Sequence, residues 1–243
     1  ASNGETHLAV GNYGTLLTSA DLASWTWRNS GTGLWLLGAA WGVGKFVVVG
    51  ERGTILTSPD GASWTPQASG TSAVLYDVLF DGTRFIASGS DGVFLGSADG
   101  VSWNLLATAP VRNTFQAIAF NGSTYVAVGG DLARVILSSS DGANWTLRFS
   151  ESGGNIADVA WNGTEFVAVG DRGAVWSSAD GNSLYLFRFF DVPRRIWLLD
   201  LRTGKRRVWK ELHGADLAAL HALEGPLGLA TQAPLHPRHP AGS

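Results

Sequence analysis

Asp77 and Asp158 stand at matching places in two related segments, LYDVLF and IADVAW, while the kindred segments LLGAAW and FQAIAF carry Gly38 and Ala117 there. Glu51 and Asp171 each follow a Val-rich run ending in glycine, in the phrases VVVGERG and VAVGDRG, and Arg52 and Arg172 come directly after them. Tyr13, Asp91 and Asp131 lie in or beside the same place in three further copies of that phrase. Carboxylates brought to one point can do two kinds of chemistry. A pair about 5–10 Å apart can act as acid and base or nucleophile on a glycosidic bond. A set of them can hold calcium or another divalent cation, with Asp77 and Asp158 as the candidate ligands, and so serve ester or phosphoester hydrolysis. Asp77, Asp158, Glu51 and Asp171 are therefore the candidate catalytic residues, and Tyr13, Arg52, Asp91, Asp131 and Arg172 the candidate ligand-binding residues. Turn chemistry alone also favours acids in these places, and an inner-strand aspartate can simply serve backbone N–H groups.

Whether these residues meet depends on what repeats around them. A box of the form S-x-D-G-x-x-W recurs as TSADLASW, TSPDGASW, GSADGVSW and SSSDGANW, and begins a fifth time as SSADGNSL. Its aspartates, Asp21, Asp60, Asp99, Asp141 and Asp180, are separated by 39, 39, 42 and 39 residues. Ahead of each box stands HLAVG, FVVVG, FIASG, YVAVG or FVAVG, and ahead of four of these stands an apolar six-residue segment. A period near 40 residues with short apolar runs and Gly/Asn/Asp turns predicts a repeat of small antiparallel sheets. In the third copy strands are expected at Leu75–Phe80, Phe85–Gly89 and Val93–Ser97, with an outer strand starting at Ser102. Four strands in about 40 residues is the length of a β-propeller blade. The fold class is accordingly all-β, a propeller of four-stranded blades.

The box is a folding device. Its aspartate is placed to accept N–H bonds across the turn, and Trp25, Trp64, Trp103 and Trp145 are expected to fill the gaps between sheets. The first copy has Leu22 where the others have glycine, so its turn is expected to be strained. In the fourth copy the run from Gly129 to the box serine is two residues longer than elsewhere, which lengthens the loop that holds Asp131.

With its preceding F-V-A-V-G, the pattern resembles the Asp-box of sialidase-like propellers, and in particular the photosystem II assembly-factor type. The likeness covers residues 7–181. It implies a propeller whose boxes lie away from the site. The arginine trio and tyrosine–glutamate pair of a true sialidase cannot be placed here, since Arg52 and Arg172 supply only two of three arginines.

The pattern breaks after Gly181. The stretch that follows has an apolar strand at Arg195–Asp200, a turn at Arg202–Lys205 and a returning strand at Arg206–Lys210. It resembles a TolB-like blade, with its D-G-x-S-L-Y opening and D-L-x-T-G-x-R hairpin. Charge changes at the same point: residues 1–181 hold 15 acidic against 8 basic side chains, and residues 182–243 hold 5 against 9. The chain reads as a hybrid, natural or recombinant, joined at 180–184, with one irregular closing blade as the alternative. Five box blades and a TolB-like blade (182–215) make six, forming one propeller domain over 1–231. The first copy begins at its second strand, so its innermost strand is expected from elsewhere, with about 223–231 as donor. Residues 232–243 read as a flexible tail.

Composition narrows the function. There is no cysteine, which removes thiolate chemistry, disulfides and zinc–thiolate sites. The mildly acidic body argues against nucleic acid, and no apolar run reaches membrane-spanning length. The five histidines show no ligand spacing outside the terminal HPRH, and Gly42–Lys45 lies in a hairpin, not before a helix. The expected function is a non-catalytic disc that presents turns to a protein or carbohydrate ligand, with a hydrolase as the rival. A monomer or a strand-sharing dimer, in a bacterial periplasm or secreted, completes the expectation.

Overall fold

The computed structural model describes residues 1–131, 133–171, 174–177, 183–187, 194–200 and 205–212. Arg172, Asp180, residues 181–182 of the junction, the expected closing strand at 223–231 and the tail lie outside them.

The second strand of every repeat explains the architecture. FVVVG has no polar alternation, so as a strand it must be covered on both faces. The chain meets this demand with antiparallel sheets set radially. The first comprises β1 (His7–Val10), β2 (Leu16–Ser19) and β3 (Thr26–Trp27). The second comprises β4 (Leu36–Gly42), β5 (Lys45–Gly50), β6 (Ile55–Ser58) and β7 (Thr65–Gln67). The third is β8 (Leu75–Phe80), β9 (Phe85–Gly89), β10 (Val93–Ser97) and β11 (Asn104–Thr108), and the fourth is β12 (Phe115–Phe120), β13 (Tyr125–Gly129), β14 (Ala133–Ser139) and β15 (Thr146–Ser152). The fifth joins β16 (Ile156–Trp161), β17 (Phe166–Gly170), β18 (Ala174–Ser177) and β19 (Ser183–Phe187), and continues into the hairpin β20 (Arg194–Asp200) and β21 (Arg206–Leu212). The innermost strands β4, β8, β12 and β16 stand side by side. The molecule is a β-propeller.

Each buried cluster is one interface between consecutive blades. Leu8 and Leu16 meet Phe46, Val48 and Leu56 between the first and second blades. Val47 and Val49, on the opposite side of the same strand, meet Phe85, Ala87 and Leu95 of the third. Ile86 and Phe94 then meet Tyr125 and Ala127, and Val126 and Val128 meet Phe166 and Ala168. Alternate residues of one strand thus serve two different cores. An aromatic pair closes the lower hairpin of four blades: Trp41 on Phe46, Phe80 on Phe85, Phe120 on Tyr125 and Trp161 on Phe166, with centroids 4.1–4.9 Å apart.

The four described boxes share the aspartate turn, and in the first three the box tryptophan's indole donates to the carbonyl of the residue after the aspartate. In the second, Asp60 Oδ1 accepts the N–H groups of Ala62 (2.8 Å) and Ser63 (3.0 Å), and the hydroxyl of Ser58 at 2.9 Å. Ser58 Oγ in turn accepts the Gly61 N–H at 2.8 Å, and the Trp64 indole donates to the Gly61 carbonyl at 3.1 Å. These bonds hold the carboxyls of Asp21 and Asp60 down at about 2, and those of Asp99 and Asp141 low as well. Leu22 takes the glycine conformation with φ 62°, as its place in the turn requires.

One expectation is corrected in detail. The third blade's outer strand starts at Asn104, not Ser102, because the box turn runs through Ser102 to seat Trp103. The hairpin β20–β21 follows the fifth box sheet, and pairing of β19 with β20 joins the two. Beside β1, Ser2 bridges His7, and the Leu8 N–H donates to the Ala1 carbonyl at 2.8 Å.

The box tryptophans also differ by neighbour. Trp103 and Trp145 are buried and Trp64 is half-buried, each against the preceding blade, whereas Trp25 of the first blade is 40% exposed. Trp103→Ala is expected to cost about 3–5 kcal/mol in denaturant unfolding, and Trp25→Ala under about 1 kcal/mol. Equal losses at the two sites would contradict this packing.

Candidate functional site

The turns between second and third strands share one face, here called upper, with the linkers between blades. Three of these turns have the same backbone. In Asn12–Gly14, Glu51–Gly53 and Ser90–Gly92 the middle residue is left-handed: Tyr13 at φ 56°, Arg52 at 53° and Asp91 at 58°. The glycine that follows is obligatory. A Cβ on Gly53 would lie 2.1 Å from the Thr71 carbonyl oxygen and on Gly14 1.9 Å from that of Thr32. The glycine N–H groups donate to Leu34, Ala73 and Asn113 carbonyls at 2.7–2.8 Å, which ties each turn to the next linker. Tyr13, Arg52 and Asp91 are exposed at the tips.

In three of the blades the residue that opens the upper turn fastens the start of its blade's inner strand. Glu51 exchanges two bonds with Trp35: its N–H donates to the Trp35 carbonyl, and its Oε2 accepts the Trp35 N–H, both at 3.0 Å. Ser90 does the same for Val74, at 2.8 Å and 3.1 Å. Asp171 does it for Asn155, at 3.0 Å and 2.8 Å. In the longer fourth loop Asp131 Oδ2 accepts the Thr114 hydroxyl at 2.8 Å, and its N–H donates to Asn113 Oδ1 at 3.0 Å. The acids proposed from sequence as acid, base or ligand contacts at Glu51, Asp131 and Asp171 are therefore each anchored by one oxygen.

A β-bulge near the upper end of all four described inner strands inserts Leu37, Tyr76, Gln116 and Ala157. The half-buried Tyr76 is where the blades converge. Its hydroxyl pKa is raised by burial and then by the charges of Asp131 and Glu51, from the blades on either side. Gln116 Oε1 accepts the Asn155 amide at 2.5 Å. Sequence reasoning passed over Tyr76 and Gln116. Their signal was available, since the position before Asp77 varies from Leu to Tyr to Gln to Ala while its neighbours keep to type.

Asp77 and Asp158 do occupy equivalent places, each accepting the next residue's N–H at 2.8 Å. They diverge beyond that. Asp77 Oδ2 crosses to the next blade and accepts the Ile118 N–H at 3.0 Å, which sews β8 to β12. Burial pushes its carboxyl up to about 6, with the charge of Asp158 a lesser contributor. Asp158 is exposed. Asp77 is thus an architectural carboxylate with both oxygens engaged. Among the described residues no three acidic or histidine side chains are grouped to hold a metal ion.

Asp91, at the third tip, pairs with Arg112 at 3.1 Å, both exposed. On the lower face a shallow cavity of about 310 Å³ is lined by Thr18, Ser19, Asp21, Arg28 and Asp60, residues already committed to their boxes and strands.

The fold recurs in solved structures. The chain matches YCF48 bound to a D1 peptide with a TM-score of 0.59 at 13% identity, covering 89% of this chain and 78% of that one. It matches YCF48 from Cyanidioschyzon merolae at 0.57, 13% identity and coverages of 85% and 82%. A chain of a nidogen/laminin complex matches at 0.55 and 13%, with coverages of 86% and 94%. No protein-family model matches the sequence, and no curated protein matches it. At this identity the comparisons establish the β-propeller class.

The two carboxylate populations titrate in different windows. Asp77 has a raised native value, so its contribution to stability is greatest below about 4 and is lost as pH rises toward about 6. The box aspartates have lowered values, so theirs is present above about 4 and is lost as pH falls through about 2. Asp77→Asn is expected to remove a decline of roughly 1–3 kcal/mol between pH 4 and 6 while leaving the acid limb in place. An unchanged slope in that window, measured by denaturant melts, would refute the assignment.

Proposed function

We propose that this protein is a non-catalytic binding scaffold whose upper-face turns engage a protein ligand. The observation that carries this reading is the set of three superimposable turns with unlike tips. The backbone is held constant by an obligatory glycine and a linker bond, while the exposed left-handed residue is an aromatic, a cation and an acid in turn. A left-handed non-glycine residue costs of order 1 kcal/mol, and functional surfaces are where such strain is retained. The carboxylates in the same region add support, because their oxygens fasten main chain instead of facing one another across a gap.

The neighbours give a second, independent support. One of the similar structures is described as YCF48 bound to a D1 peptide and another as a nidogen/laminin complex, and both are propellers of this overall shape. The box geometry supports assigning residues 7–181 to the Asp-box type. The hairpin β20–β21, attached outside the fifth box sheet, supports reading the later chain as a TolB-like addition.

The test uses asparagine, which tolerates the left-handed conformation. Peptides selected by phage display on the native protein are expected to lose at least tenfold in affinity for a Tyr13→Asn, Arg52→Asn, Asp91→Asn variant. The variant should melt within about 2 °C of the parent, since all three side chains are exposed. Peptides that bind parent and variant equally would remove the turn tips from the function.

A further inference from the structure

Tyr13 and Trp35 form an exposed aromatic pair that no core requires. Tyr13 is 79% exposed and Trp35 40%, their rings edge to face at 6.3 Å and 79°. Tyr13 belongs to the first blade's tip, and Trp35 to the linker that follows it. Trp35 is not loosely held. Its main-chain N–H and carbonyl are both held by Glu51 at 3.0 Å, so a carboxylate is fixed against the backbone that carries the indole. Glu51 Oε1 has no hydrogen-bond partner among the described residues. The charge of Glu51 also reaches Tyr76 of the next blade.

Two π faces beside an anchored carboxylate attract a cation that can stack and donate hydrogen bonds together. Guanidinium is planar, weakly hydrated and carries five donors, and it suits this better than the compact ammonium of lysine. Arg52 is exposed at the neighbouring tip and repels a second cation, which limits the site to one basic residue rather than a basic run. We propose that Tyr13, Trp35 and Glu51 form a docking site for a single arginine side chain of the protein ligand. This deepens the scaffold reading and rests on it.

The test is an NMR titration of the Trp35 indole N–H, assigned with Trp35→Phe, using acetyl-Gly-Gly-Arg-Gly-Gly-amide and its Lys, Leu and Glu counterparts. The arginine peptide is expected to shift that resonance saturably, the lysine peptide several-fold more weakly, and the leucine and glutamate peptides not at all. Tyr13→Asn and Glu51→Gln should each weaken the arginine peptide at least fivefold, with the indole resonance still folded-like in dispersion. An unshifted Trp35, an affinity unchanged in Tyr13→Asn, or equal binding of the glutamate peptide would overturn the site. If that happens while phage-selected peptides still depend on the three tips, the scaffold stands and only the arginine site falls. If the selected peptides ignore the tips while the titration succeeds, the arginine site stands and the wider scaffold reading falls.

Discussion

Everything in this molecule depends on burying both faces of strands that are apolar from end to end. A single blade cannot do this for itself, because FVVVG offers hydrophobic side chains to both sides of a thin sheet. Two neighbours are needed, and each neighbour has the same need. Radial packing satisfies it blade by blade: Val47 and Val49 serve one interface while Phe46 and Val48 serve another. The turns are brought together at a hub as a by-product of this arrangement. What converges there is decided by packing first and by chemistry second.

That order explains what the carboxylates do. An acid near the hub lies close to inner-strand main chain whose N–H groups are turned away from water. Glu51, Asp131 and Asp171 each fasten the start of a strand, and Asp77 ties two blades together. Repetition places acids in register, and in this chain the register serves the backbone. The chemistry that varies from copy to copy is found instead at the tips and at the bulged position, where Tyr13, Arg52, Asp91, Tyr76 and Gln116 differ in kind.

The sequence revealed the fold in detail because the repeat is its own alignment. Five copies of one pattern cancel the noise that blurs a single strand assignment, and β8, β9 and β10 fall where the third copy puts them. The tips were legible for the same reason: a glycine three residues beyond the last glycine of HLAVG, FVVVG and FIASG marks the turn. The fate of Asp77 was not legible. Its partner is the N–H of Ile118, in another blade, and no spacing rule reports which side of a bulged strand faces the next one. Tyr76 was hidden by the bulge itself, which turns a residue that reads as part of an alternating strand toward the hub.

The box tryptophans are not equally covered, and this has a dynamic consequence. Trp25 in the first sheet is 40% exposed, where Trp64 is half-buried and Trp103 and Trp145 are buried. A segment with fewer buried apolar contacts opens locally at lower cost. Amide protection around β3 should therefore be weaker than around β11 and β15. A ligand held at Tyr13 would then meet the more compliant of the described sheets.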